Sequence, residues 1–431
     1  MKKNINTIFT VTIFCLCAMG SPAQSIDKVI NAVEVERIEK TLSSDDMKGR
    51  KTFSPDIERA ADFISAEFKK DGLQYFQGMK DYRQSFNMIK TKFISAEGDF
   101  DGAPLDAKNI IAFTTDADLT INNISGYEKI FIAADSNFIR NALKYVQSDK
   151  NYLLIVDTAN SLGFNRLKRF KQQSLKRANG VVFVLSSLNP LKYNLHIRHE
   201  LSEAGLSNVV GILPGKSKKD EYVVFSGHYD HLGIGKPDGR GDSIYNGAND
   251  DAAGTTAVLM LAKYFSQLKN NERTLVFVAF TAEEIGEYGS QYFAKQINPD
   301  KVAAMLNIEM IGTDSKWGAN SAYITGYERS DLGKILQANL TGSKFHFEPD
   351  PYPAQNLFYR SDNASLAAVG VPAHTISTSK MDNEPNYHKQ SDEIGTLNMN
   401  NMAEIIKAIA ISSNTIVSGK DTPARVAKQN R

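Results

Sequence analysis

From Asn208 onward, short apolar runs alternate with helical stretches and polar turns, and this alternation leaves few architectures open. "NVVGIL", "EYVVFSGH", "RTLVFVAF" and "AAMLNIEMIG" read as strands that are apolar through most of their length. A strand apolar on both sides must be covered on both sides, as in a parallel sheet with helices above and below. "AAGTTAVLMLAKYFSQL" and "NMAEIIKAIAIS" supply helices, and "SAYITG" and "PAHTIST" supply further strands. The expected fold class is α/β, a central, mostly parallel, twisted sheet with helices on both faces. Chemistry in such sheets collects at the carboxyl ends of the strands.

Upstream, "SPDIERAADFISAEFKKDGL" is punctuated as a helix, with Ser54 as cap, Pro55 at the first turn and Gly72 at the end. Ile57, Ala61, Ile64 and Phe68 recur at helical spacing and predict one buried face. Between about 90 and 205, "GYEKIFIAA", "NYLLIVDTA" and "GVVFVLSS" read as strands, and "NRLKRFKQQSLKRA" as a basic helix with a solvated face. The expected organisation is a signal peptide at 1–23, an N-terminal part of the main domain at 24–94, an inserted smaller α/β region at 95–205, the catalytic domain at 206–420 and a polar tail at 421–431.

Lys+Arg is 50 and Asp+Glu is 49, so the chain has no basic footprint for nucleic acid. Lys2 and Lys3 precede the apolar "INTIFTVTIFCLCAMG", which is too short to span a bilayer, and Ser21-Pro22-Ala23 offers small residues for a signal peptidase. The expectation is cleavage near Ala23, a periplasmic or secreted protein, and no stable membrane insertion afterwards. Cys15 and Cys17 lie in the removed segment, so any metal must be held by His, Asp and Glu.

Those residue types gather where strands end. "SGHYDH" gives His228 and Asp230, "GANDDAAG" gives Asp250 and Asp251, and "TAEE" gives Glu283 and Glu284. "NIEM" gives Glu309, and "NYHKQSDE" gives His388 and Asp392. Singly, each has an ordinary explanation as a helix cap or a hydrogen-bonded structural group. Glu309 has less excuse, because it follows Met305, Leu306 and Ile308, where a bare carboxylate costs several kcal/mol. Gathered on one sheet edge, carboxylates with imidazoles suit zinc or a similar divalent ion. Two ions ~3.5–4 Å apart require a carboxylate that bridges both.

In order along the chain, "HYD", "GANDDAAG", "EEIG", "NIEM", "RSD" and "YH" resemble the signature of the co-catalytic di-zinc exopeptidases. That family includes the bacterial leucyl aminopeptidases, with glutamate carboxypeptidase, the glutaminyl cyclases and the transferrin receptor as relatives. The resemblance runs from about Asn208 to the C-terminus. It implies two Zn²⁺ ions per chain, with Asp250 bridging them, His228 and Glu309 completing one site, and Glu284 and His388 the other. It implies Glu283 as general base, Asp230 as the group that orients His228, and a cis Asp250–Asp251 peptide. Many relatives have Asp where Glu309 stands. The 95–205 region faintly resembles the family's protease-associated insert.

The implied activity is an aminopeptidase that hydrolyses peptides with a free N-terminus by a metal-activated water. Tyr387 is a candidate hydrogen-bond donor to the oxyanion, with packing as its alternative, and Arg360 has a structural alternative. Other functions on the same scaffold are a glutaminyl cyclase-like acyltransferase, a carboxypeptidase or dipeptidase, and a non-catalytic receptor-like module. A carboxypeptidase or dipeptidase would need a cation for the substrate carboxylate. His231 is expected near the site, His196 and His199 on a solvated surface at helical spacing, and His346 and His374 in structural roles. Trp317 is expected to pack.

Overall fold

The computed structural model describes residues 22–170 and 173–429. Residues 1–21, with Cys15, Cys17 and most of the expected signal peptide, lie outside them; the first element is the helix Pro22–Val29. No helix among the described residues is long and apolar enough to cross a membrane.

Four parallel strands form the centre of the main sheet, in the spatial order Ala373–Ser377, Val302–Ile308, Lys218–His228 and Arg273–Phe280. All residues of Arg273–Phe280 and Val302–Ile308 are buried, as strands covered on both faces must be. Antiparallel neighbours flank this core: Ser321–Ile324 beside Ala373–Ser377, and Tyr193–Leu213 beside Arg273–Phe280. The site is built on this parallel core; one further parallel pair, Ser321–Ile324 with His346–Pro349, lies at the sheet edge.

The helix Ala253–Leu268 packs on the central strands and is itself covered by Ala32–Leu42 and Met399–Ser412, so nearly its whole circumference is buried. Pro55–Lys70 starts where Ser54 Oγ accepts the Asp56 N–H (3.2 Å), and it buries Ile57, Ala61, Ile64 and Phe68. At ~25 cal/mol per Å² of apolar area, such a four-residue face stabilises the docked helix by several kcal/mol.

Arg83–Phe100 and Tyr193–Leu213 pair as a long antiparallel ribbon, with a register shift at Arg198/His199. The expected boundaries near 95 and 205 fall inside these two strands. A second sheet forms beyond the ribbon from Ile110–Phe113, Val181–Leu185, Tyr152–Val156 and Glu128–Ile132, around a core that includes Leu153, Ile155, Val182 and Val184. Residues 421–429 are not a free tail, because Arg425 Nη1 donates to Val302 O (2.8 Å) and Val426 is buried.

Three local expectations are corrected. The basic run 165–178 is not one helix: a helix ends at Leu167, and Gln173–Leu175 is a strand on the ribbon. Leu175 is buried with Phe86, Met88 and Leu206, and that burial overrides the charge pattern. His196 and His199 lie on a strand; His196 is ion-paired with Glu97 and Asp118, whereas His199 is buried. Trp317 does not pack and is 45% exposed.

Candidate metal centre and active site

Each ionisable cluster sits at a carboxyl end of the parallel core. His228 is the last residue of its strand, Glu309 follows Val302–Ile308 directly, and Glu283 and Glu284 stand in the turn after Arg273–Phe280. Asp250 lies in the turn before Ala253–Leu268, and His388 on the loop after Ala373–Ser377.

The side chains meet as two triads. His228 Nε2 lies 3.2 Å from Asp250 Oδ1 and 3.3 Å from Glu309 Oε1. His388 Nε2 lies 3.2 Å from Asp250 Oδ2 and 3.3 Å from Glu284 Oε2. Asp250 thus turns one carboxylate oxygen to each triad. Tetrahedral zinc with bonds of ~2.0 Å separates neighbouring ligand atoms by about 3.3 Å, so the imidazole–carboxylate distances fit zinc. Glu283 Oε2 stands 3.9 Å from His228 Nε2, beside the first triad.

His231 adds a second imidazole to the Glu284 side. Its Nδ1 is 2.6 Å from Glu284 Oε1, and it can group with Asp250 and Glu284 around one ion. The contact is short but poorly aligned, and both His231 nitrogens and Glu284 Oε1 are buried without an aligned hydrogen bond. Such orphaned groups are what a cation would satisfy.

The charges ask for the same partner. Burial favours a neutral His228, but the carboxylates of Glu309 and Glu283 outweigh it and raise its pKa. Hydrogen bonds with Asp250 and Glu284 lift His388 to about 10. Burial drives Glu283 well above the usual carboxylate range, with the His228 charge opposing and Glu309 reinforcing. Asp250 is held low despite burial, by hydrogen bonds from His228 and His388.

Local structure explains why the short motifs are needed. Asp251 Oδ2 accepts the His228 N–H (3.1 Å), and Oδ1 accepts the Gly254 and Met310 N–H groups (both 3.0 Å), tying together the segments that carry three ligands. A Cβ at Gly254 would meet Ile308 O at 2.2 Å, so the helix can approach the strand only through glycine. Gly247 has φ +57, and its Cβ would strike Asp250 O at 2.3 Å. The Asp250–Asp251 peptide is cis.

The orienting role expected of Asp230 is divided between two of its parts. His228 Nδ1 bonds the main-chain oxygen of Asp230 (3.0 Å), while Asp230 Oδ1 is 3.7 Å away. A carbonyl only accepts, so Nδ1 carries the proton and Nε2 faces the triad. The Asp230 carboxylate instead receives the N–H groups of Glu283 (3.1 Å) and Glu284 (3.4 Å) and fixes their turn. Tyr387 lines the pocket and stacks on His388, with ring centroids 3.9 Å apart.

Of the further supports, Asp392 was named among the clustered acids in the sequence, whereas Ser361 and Arg50 were not. Ser361 Oγ donates to Glu309 Oε2 (2.7 Å). The Asp392 carboxylate accepts the N–H groups of Asn249 (2.8 Å) and Asp250 (3.0 Å). Arg50, fully buried, donates to the carbonyls of Leu42, Tyr229, Asn246 and Gly247 at 2.6–2.9 Å. Ser361 and Asp392 lie inside quoted motifs. Arg50 has no motif, and only its long-range contacts reveal it. His374, expected to be structural, is buried between Thr325 O (2.8 Å) and Ser330 Oγ (2.7 Å), and burial lowers its pKa to about 4.

Residues 208–412 match peptidase family M28. Over that stretch, a little under half its length, the chain is similar to this family. A "Probable zinc metalloprotease" of Pyrenophora teres f. teres (strain 0-1) is 38% identical over 109 residues, 25% of this chain and 23% of that protein. The chain thus aligns with about a quarter of that relative's length. Aminopeptidase YwaD of Bacillus subtilis (strain 168) is 23% identical over 343 residues, 72% of each chain. In three dimensions the molecule is similar to an aminopeptidase from Aneurinibacillus sp. strain AM-1, with a TM-score of 0.56, 16% identity and coverage of 94% of this chain and 97% of that one. The zinc aminopeptidase BSAP from Bacillus subtilis has a TM-score of 0.55 at 16% identity, covering 93% and 99%. At these identities the structural likeness bears on the fold alone, an α/β architecture shared with both.

Proposed function

We propose that the protein is a zinc-dependent aminopeptidase that binds two ions in the triads His228–Asp250–Glu309 and His388–Asp250–Glu284. The observation that carries this is the sharing of Asp250, one oxygen to each triad, at ligand spacings of 3.2–3.3 Å. Bound there, the metal pair would supply Lewis acidity and lower the pKa of water toward ~7.

The chain's own groups do the rest. Glu283 is the proton acceptor: its carboxylate borders the first triad, and burial raises its proton affinity. The same carboxyl returns the proton to the leaving amine. Asp230 holds the Glu283 turn by its amides, Asp392 holds the bridging residue, and Asp251 ties the His228 and Met310 segments together. The pocket is walled by Tyr387, Tyr323 and Leu357. Tyr387 is placed to donate to a substrate oxyanion. Substrates would be peptides with a free N-terminus, and export to the periplasm or beyond follows from the basic, then apolar, leader ending near Ala23.

The test is a screen of amino-acid amides and matched N-blocked peptides, with and without added zinc. Zinc-dependent cleavage of the unblocked set alone is expected, with two zinc ions per chain. Equal cleavage of blocked peptides would sink the aminopeptidase assignment, and one zinc with cyclisation of an N-terminal glutamine would replace it. N-terminal sequencing of the exported protein checks the leader.

A further inference from the structure

One cation lining the substrate pocket has unfinished bonding. The polar neighbours are already engaged inside the protein: Ser361 donates to Glu309, Tyr323 Oη to Ser379 O (3.0 Å), Thr375 Oγ1 to Asn363 Oδ1 (2.9 Å), and Ser377 Oγ to Met310 O (3.3 Å). Arg360 differs. A guanidinium carries five N–H donors. The Arg360 side chain makes one weak contact, from Nη1 to Gln355 Oε1 at 3.5 Å, and no ion pair among the described residues.

Its position is nonetheless fixed. The Arg360 N–H donates to Leu357 O (3.1 Å), and the next residue, Ser361, is buried and bonded to a triad carboxylate. The Arg360 backbone is therefore anchored one residue from the Glu309 triad, and its exposed side chain lines the pocket with the apolar side chains of Leu357 and Met381. A carboxylate entering beside that apolar wall loses water contacts that Arg360 can replace. The planar fork matches both oxygens of a carboxylate, which a lysine cannot do. With divalent cations in the triads, the charges of Asp250, Glu284 and Glu309 are compensated and an anion can approach.

Building on the aminopeptidase function proposed above, we propose that Arg360 is a specificity residue that receives a carboxylate of the substrate. Two sources share this chemistry: the C-terminal carboxylate of a dipeptide, one residue beyond the scissile bond, or the side chain of an acidic first residue. Both make the preferred substrate one that carries a carboxylate beside the scissile bond as well as a free amine.

The test measures kcat/KM of the zinc-loaded protein on two matched pairs. Leu-Gly against Leu-Gly-amide reads the C-terminal carboxylate, and Glu p-nitroanilide against Gln p-nitroanilide reads the side chain. The acid of one pair should be favoured about tenfold or more, as one bidentate charged contact allows. In Arg360→Gln that ratio should fall to near unity, and Arg360→Lys should recover part of it. Because the readout is a ratio, a general loss of activity cancels. The pair showing the preference identifies the source. No acid preference in either pair of the wild type, or a preference that survives Arg360→Gln, overturns the proposal and leaves the aminopeptidase function standing. Cleavage of no substrate by zinc-loaded wild type overturns both.

Discussion

The two halves of the candidate metal cage are built from different material. His228 and Glu309 sit at the ends of adjacent parallel strands, and His228 is almost fully buried. His388 and Glu284 sit on connecting segments, with His388 37% exposed at φ +55. The strand-borne half is positioned by the ladder. The loop-borne half needs auxiliary grips: Asp230 on the Glu284 amide, His231 against the Glu284 carboxylate and Tyr387 stacked on His388. The sheet sets where the backbones of its two ligands lie and leaves contacts such as Ser361 on Glu309 to trim their side chains, whereas the loop ligands need neighbours to set backbone and side chain alike.

Asp250 is the member common to both halves, so Asn there should erase the difference. Asp250→Asn should lower kcat/KM beyond the about 10²–10⁴-fold typical of removing a general base. Zinc content, read by elemental analysis, should fall at both triads, and a thermal melt separates this from misfolding. Retention of one tightly held zinc would show that the halves are independent. Glu283→Gln belongs to neither half. It should cost about 10²–10⁴-fold in kcat with zinc content unchanged. Near-normal turnover would remove Glu283 as the base.

Ser361→Ala sharpens the contrast from the strand side. Losing the hydrogen bond to Glu309 Oε2 should weaken one zinc site by about 10–100-fold in a chelator competition, leaving the other in place. Loss of both sites in one step would contradict the division. The smallest effect is a pH dependence of the loop half. In metal-free protein the His388 pKa is raised to about 10, from ~6.5 when unfolded. Its pairing with Asp250 and Glu284 therefore stabilises fully below ~6.5 and is lost as pH rises through about 10. The melting temperature of chelated wild type should fall more between neutral and strongly alkaline pH than that of His388→Asn. Equal falls would mean the pair contributes nothing.

The main sheet was legible because its strands are apolar on both faces, a pattern few other elements share. The ligand clusters were legible because each is a run of a few residues against a strand end, so adjacency in sequence becomes adjacency in space. What escaped depends on distant partners. Arg50 reaches Gly247 across nearly two hundred residues, and His231 gains its meaning only beside Glu284. The run 165–178 misled because its charges mimic an exposed helix, while the pairing of Leu175 with Met88 decides the outcome. The antiparallel flanks leave no signature of direction in a short apolar run.

Arg50 also sets a limit on what can be cut away. The stretch that carries the family signature ends where its motifs do, yet the turn that aims the bridging aspartate is stitched from outside it, by a guanidinium bonded to four carbonyls. A chain trimmed to 208–412 would keep every ligand and lose the fastener. Shortening this chain from its front end should therefore disable the proposed chemistry, whose ligands lie, on paper, entirely downstream.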